Sequence, residues 1–147
     1  MSVGSTGMSD AGPTGPATVG SAMHVGVVTC RPEATLRTVA ALLAEHRIHA
    51  IVVATSDDVS SCTVVSDRDV VLGYARANLD RLTAREAASE PTVTVRADLD
   101  LRYASEIMAQ NGTSHVVATA PGGGPIGILS SLDIARAIGT EAGDRLP

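Results

Sequence analysis

The chain has 147 residues, 44% of them hydrophobic, and a formal net charge of −5 from 11 basic and 16 acidic side chains. That length suits one compact domain or a fused pair of half-domains, and the apolar share is enough for a core. The acidic balance, with no Lys/Arg stripe and no aromatic platform, disfavours general nucleic-acid binding but leaves room for one local phosphate.

Residues 1–17 are rich in Gly, Ser, Thr and Pro, which predicts a disordered N-terminal tail. The tail has neither a basic start nor an apolar run, so it does not read as a secretory signal. Thr18 reads as the N-cap of a short helical turn reaching Met23. Val27–Cys30 has the composition of a short strand, stopped by Pro32. Thr35 caps a helix whose apolar stripe is Leu36, Val39, Ala40, Leu42 and Leu43, ending near His46 and Arg47. Ala50–Ala54 reads as a buried strand, Ser56–Asp58 as a polar turn and Cys62–Val65 as the next strand. Ser66 opens a second helix, with Val70, Val71, Leu72 and Tyr74 expected on its buried side.

The same order then returns. Thr83 and Glu86 have the T-x-x-E form of a capping box. Thr92–Val95 reads as a strand, Asp100 as an N-cap, and Ala104, Ile107 and Met108 as the apolar face of a helix. His115–Thr119 is a strand, Pro121–Pro125 with three central glycines is a hairpin loop, and Ile126–Leu129 is a strand. Ser130 opens the last helix, expected through Ile138. Residues 142–147 read as a C-terminal tail.

A shift of 65 residues lays Val28-Thr29-Cys30-Arg31 over Val93-Thr94-Val95-Arg96, Leu36-Arg37 over Leu101-Arg102, and Val52 over Val117. After the hairpin the shift becomes 64, placing Ser66 on Ser130 and Asp69 on Asp133. One change of loop length explains that step. The chain is therefore two copies of a β-α-β-β-α unit, residues 18–82 and 83–141, each opened by a helical turn. Such twins bury their apolar faces against each other and form two related clefts. The core has no Phe or Trp, and Tyr74 and Tyr103 are its only aromatic candidates, so aliphatic side chains must fill it.

The apolar runs, Ala50–Ala54 among them, are too short to cross a membrane, and cytoplasmic location is the expectation. Cys30 and Cys62 have no CxxC neighbour and read as free thiols. His24, His46, His49 and His115 show no metal-ligand spacing, so no metal is expected. No P-loop, dinucleotide fingerprint or Ser-His-Asp set is present, which leaves an enzyme without support. Taken by spacing, Ser66-x-x-Asp69 and Ser130-x-x-Asp133 are capping boxes before apolar helices.

The repeated β-α-β-β-α order, Val-Thr at each first strand and Ser-x-x-Asp after each last strand resemble the cystathionine-β-synthase (CBS) domain. Two repeats resemble a CBS pair, or Bateman module, over roughly residues 18–140. Val65-Ser66-Asp67-Arg68-Asp69-Val70 resembles a segment of stand-alone bacterial CBS-pair proteins, some of them linked to stress or hypoxia responses. The resemblance implies an α/β (α+β) fold, two pseudo-symmetric repeats packed sheet to sheet, and a homodimer.

It also implies a regulatory, non-enzymatic role toward an unidentified regulated protein. Clefts between the repeats would bind AMP, ADP, ATP or S-adenosylmethionine, none of them a required cofactor. The family's Gly-hydrophobic-Ser/Thr-x-x-Asp motif falls on Gly127–Asp133 with one extra apolar position, and Thr63 replaces the glycine in the first unit. Carried over, Asp69 and Asp133 would bind ribose, Ser66 and Ser130 would lie near phosphate or ribose, and Thr29 and Thr94 would line the adenine end. Arg68 is a phosphate candidate, also readable as a solvated side chain, and His49 and His115 are candidates for phosphate or a dimer partner, also readable as structural histidines. The rival reading is a constitutive interaction scaffold with vestigial clefts.

Overall fold

A computed structural model describes residues 17–54, 63–89 and 93–145. The expected tail up to residue 16, the 56–58 turn, Cys62 and Thr92 lie outside the described residues. The elements are α1 (Val19–Ala22), β1 (His24–Val25), β2 (Thr29–Cys30), α2 (Leu36–His46), β3 (Ala50–Val53), β4 (Thr63–Ser66), α3 (Asp67–Ala75), α4 (Ala84–Ala87), β5 (Thr94–Arg96), α5 (Leu101–Asn111), β6 (His115–Thr119), β7 (Pro125–Ser130) and α6 (Ser131–Arg145). The last helix continues past Ile138, and β1 is a strand the periodicity does not signal.

Helix starts follow the caps read from sequence. The Thr35 hydroxyl accepts from Thr38 N at 3.2 Å, and the Asp100 carboxylate accepts from Arg102 N at 2.8 Å. Thr83 and Glu86 form a reciprocal box, and those hydrogen bonds hold the Glu86 carboxyl below its usual range. Each long helix buries one stripe, Leu36, Val39 and Leu43 in α2 and Leu101, Ala104 and Met108 in α5. Each stops at a left-handed C-cap, Arg47 in α2 and Gly112 in α5.

Two sheets carry the fold. One has the order β2-β3-β4, the other β1-β7-β6-β5. Within each, the first strand of the unit runs parallel to the second, which pairs antiparallel with the third. The sheets pack face to face through Ala50, Val52 and Val64 on one side and Val117 and Ile128 on the other. Val52 and Val117 are equivalent positions of the duplication, so the pseudo-symmetry of the sequence is the symmetry of this seam.

The opening turns are exchanged between units. Val19 of α1 is fully buried with Val116 and Leu129 of the second unit, and its N–H donates to Leu99 O at 2.9 Å. Ala84 of α4 is buried with Leu36 and Ile51 of the first, and its N–H donates to Ala34 O at 2.7 Å. The two units are thereby interlocked beyond their sheet contact.

Helix α3 corrects the sequence reading. Val71, Leu72 and Tyr74 are exposed; only Val70 is half-buried, and the fully buried positions are Asp69 and Gly73. The helix meets α2 through Gly73, where an added methyl would overlap the Leu36 side chain. Close contact over so small a residue leaves the larger apolar side chains turned away from the core. Cys30 is half-buried, and desolvation raises its thiol pKa, as for an inert core cysteine. Among the described residues no helix is long and apolar enough to cross a membrane.

Candidate functional site

The two Ser-x-x-Asp motifs fold as read, each placing a carboxylate in the first turn of a helix. Asp69 Oδ2 accepts from Ser66 N at 2.8 Å, and Asp133 Oδ2 accepts from Ser130 N at 2.9 Å. In the second motif Ser130 Oγ also accepts from Asp133 N at 3.2 Å. Both carboxylates are buried, at 3% and 4% exposure, so their remaining oxygens must find partners.

Those partners differ. Asp69 Oδ1 accepts from Ser89 Oγ at 2.5 Å. At the equivalent place by the 65-residue shift stands His24, whose Nδ1 lies 3.1 Å from Asp133 Oδ1. Arg136 Nη1 is 4.0 Å from the same oxygen. Asp69 is thus tied off by a short neutral side chain. Asp133 meets a titratable ring and a guanidinium, both largely exposed.

Local sequence explains how His24 reaches Asp133. Strand β1 pairs antiparallel with β7, His24 opposite Ile128 and Val25 opposite Gly127. A side chain at Gly127 would overlap His24 O and stand 2.8 Å from Met23 Sδ. Only glycine admits β1 so close. The first unit has Thr63 there, and no described strand pairs on that side of β4.

A cleft of about 330 Å³ opens at Asp133, between the C-terminus of α2 and the start of α6. Its apolar part includes Val28, Ile48, Ala50 and Ile128, and its polar part includes Ser130, Asp133, Arg47 and Arg136. The volume is in the range of small-molecule sites. Arg47 sits at φ 54°, ψ 47°, a left-handed conformation that disfavours a side chain by roughly 1–2 kcal/mol. The second unit uses Gly112 at the equivalent position, so the first places a cation at the cleft where the fold alone would take glycine. A groove of about 390 Å³ adjoins the cleft, sharing His24, Asp133 and Arg136.

Of the residues singled out by sequence, the structure brings Ser130, Asp133, His49 and His115 into this cleft. Ser66 and Asp69 stay together in the other box. Thr29 and Thr94 are exposed on β2 and β5, and Arg68 is exposed on α3; none of the three lines the cleft. The roles of His24, Arg47 and Arg136 were not visible in the sequence. The available signals were Gly127 against Thr63 for His24, and Arg47 against Gly112 at matched helix ends. Among the described residues no three His, Cys, Asp or Glu side chains converge as a metal site.

A family model described as CBS domain matches residues 19–75 and again residues 84–140. An uncharacterized protein of Methanopyrus kandleri is 28% identical over 120 residues, covering 80% of this chain but only 61% of that protein's length. Among solved structures, the CBS domain protein PAE2072 from Pyrobaculum aerophilum, complexed with AMP, is 29% identical with a TM-score of 0.70, covering 87% of this chain and 99% of that one. Hypoxic Response Protein I with two coordinated zinc ions is 28% identical with a TM-score of 0.61, covering 82% and 98%. The CBS domain pair of protein MJ0100, in complex with 5′-methylthioadenosine and S-adenosylmethionine, has a TM-score of 0.73 at 18% identity, covering 86% and 99%; this supports the fold alone.

Proposed function

The chain belongs to the CBS domain family, and from that premise we propose that it is a regulatory module binding a phosphorylated adenosine ligand in the Asp133 cleft. The observation that supports this most is the chemistry of that one cleft. A buried carboxylate at a helix start shares a partly aliphatic cleft with two arginines, Arg136 beside it and Arg47 at the end of α2. The carboxylate can accept both ribose hydroxyls through charge-assisted hydrogen bonds. Arg47 and Arg136 suit a phosphate, and Val28, Ile48 and Ile128 can sandwich adenine. The AMP complex of the Pyrobaculum relative, at 29% identity, supports the same ligand class.

Charge decides among the adenosine ligands. Two arginines against one aspartate make the cleft cationic before any histidine is counted. S-adenosylmethionine carries a net positive charge, whereas the phosphates of AMP and ADP are anionic. The cleft lies between elements of both repeats, so a ligand there acts by binding their closed arrangement more tightly than the open one. No step of bond making is assigned to it.

The test is calorimetric titration of the full chain with AMP, ADP, ATP and S-adenosylmethionine, paired with melting curves at high ligand concentration. Saturable binding of AMP or ADP is expected, with S-adenosylmethionine at least about tenfold weaker, a difference of about 1.4 kcal/mol. No heat and no rise in melting temperature with any of the four would leave the scaffold reading in its place.

We further propose that the module is a homodimer joined through α3 and α6. Val71 and Tyr74 on α3 are 64% and 74% exposed, and Leu132 and Ile138 on α6 are 44% and 60% exposed. Tyr74 and Ile138 are equivalent by the 64-residue shift, so the duplication gives the two helices like apolar faces for a second copy to cover. Sedimentation is expected to show a dimer that Tyr74→Glu with Ile138→Glu converts to a folded monomer. A monomeric wild type would end this proposal.

A further inference from the structure

All four histidines of the chain line the Asp133 cleft. They arrive from separate places: His24 on β1, His46 at the end of α2, His49 just before β3, and His115 at the start of β6. Their surroundings are specific. His24 Nδ1 is 3.1 Å from Asp133, which Arg136 also approaches at 4.0 Å. His46 Nε2 is 3.9 Å from Glu45, and Arg47 follows it on the cleft wall. His49 Nδ1 is 2.8 Å from Asp67 Oδ2 at the start of α3. His115 is buried on the cleft wall, with Nδ1 3.1 Å from Ser114 Oγ. His24, His46 and His49 therefore each stand beside a carboxylate.

We infer that these histidines take up a proton together with an anionic ligand, so that phosphate recognition in the cleft is coupled to pH. The inference rests on reading the cleft as an adenosine-ligand site. An imidazole ordinarily exchanges its proton near pH ~6.5, so modest changes in surroundings move its charge across the neutral range. A phosphate placed among several imidazoles favours their charged forms. By linkage, a bound state that holds more protons than the free state binds more tightly as pH falls, and the gain levels off once the free protein is itself protonated.

His24 adds a contrary contribution. A charged His24 grips Asp133 more firmly and competes with the ribose hydroxyls. Adenosine, which has ribose but no phosphate, therefore separates the two effects. Its affinity is flat or slightly weaker at lower pH, while that of AMP rises.

The experiment is calorimetric titration of the full chain with AMP and with adenosine at about pH 8.5 and about pH 7.0, where a phosphate monoester stays mostly dianionic. AMP is expected to bind roughly fivefold to tenfold more tightly at the lower pH, an average uptake of about half to two-thirds of a proton over that interval. Titration in buffers of different ionisation heat reads that uptake directly. His46→Gln with His49→Gln removes most of the slope. Arg47→Gly weakens AMP at both pH values and keeps the slope; its backbone is already in the conformation that Gly112 adopts in the other unit. AMP binding with no pH dependence and no proton uptake overturns the inference while sparing the ligand reading. A full slope retained in the double histidine variant overturns it as well. Failure of both probes to bind at either pH overturns both readings.

Discussion

Gly127→Val is expected to lower the melting temperature by roughly 10 °C and to abolish ligand binding together with the fold of β1. Any Cβ at this position overlaps His24 O and crowds Met23 Sδ, and one of the overlapped atoms is backbone. Overpacking of this kind costs about 1–3 kcal/mol. Relief requires β1 to leave β7, which adds the pairing of His24 and Val25 with Ile128 and Gly127 and the Gly26 N–H to Ile126 O bond. Each lost hydrogen bond adds about 1 kcal/mol. A total of about 3–5 kcal/mol, at about 2–4 °C per kcal/mol for a chain of this size, gives the expected shift. The paired control is Thr63→Val at the equivalent place in the first unit. That position already carries a Cβ and no described strand lies across it, so a change within about 0.5–1 kcal/mol is expected. Equal damage from the two substitutions, measured by melting curves, would refute the close-approach argument.

Asp133→Asn is expected to weaken AMP binding by roughly 5- to 150-fold, whereas Asp69→Asn is expected to act mainly on stability. Asparagine keeps one carbonyl oxygen for Ser130 N–H, so the helix start survives. It loses the charge that strengthens hydrogen bonds from ribose, a difference of about 1–3 kcal/mol over two hydroxyls. Asp69 does not line the cleft, and its oxygens accept from Ser66 N–H and Ser89 Oγ. Replacing it leaves the Ser89 contact weakened inside a buried site. Calorimetry and melting curves on both variants separate these effects. Loss of binding in Asp69→Asn with full binding in Asp133→Asn would move the working site to the other motif.

The chain order of strands and helices was legible because each long helix carries its own cap and its own stripe. Thr35 and Asp100 sit before Leu36 and Leu101, and the buried positions that follow are those of helical periodicity. The same reasoning failed at α3. Val71, Leu72 and Tyr74 are apolar and helical, but periodicity reports a face and not what covers it. Gly73, a residue with no hydrophobic signal, makes the close contact with Leu36 and sets which face turns inward. β1 escaped notice because two residues carry no period, and its place depends on a missing side chain about a hundred positions away, at Gly127.

The duplication, the β-α-β-β-α order, the helix caps and the two Ser-x-x-Asp motifs are all written in local spacing and in the near-constant offset between the units. The exchange of the opening turns, the meeting of Asp133 with His24 where Asp69 meets Ser89, and the gathering of four dispersed histidines in one cleft emerge with the folded chain. The physical reason is that these features arise from packing one sheet on the other, and the contacts that packing selects join residues far apart in the chain, where no local pattern connects them.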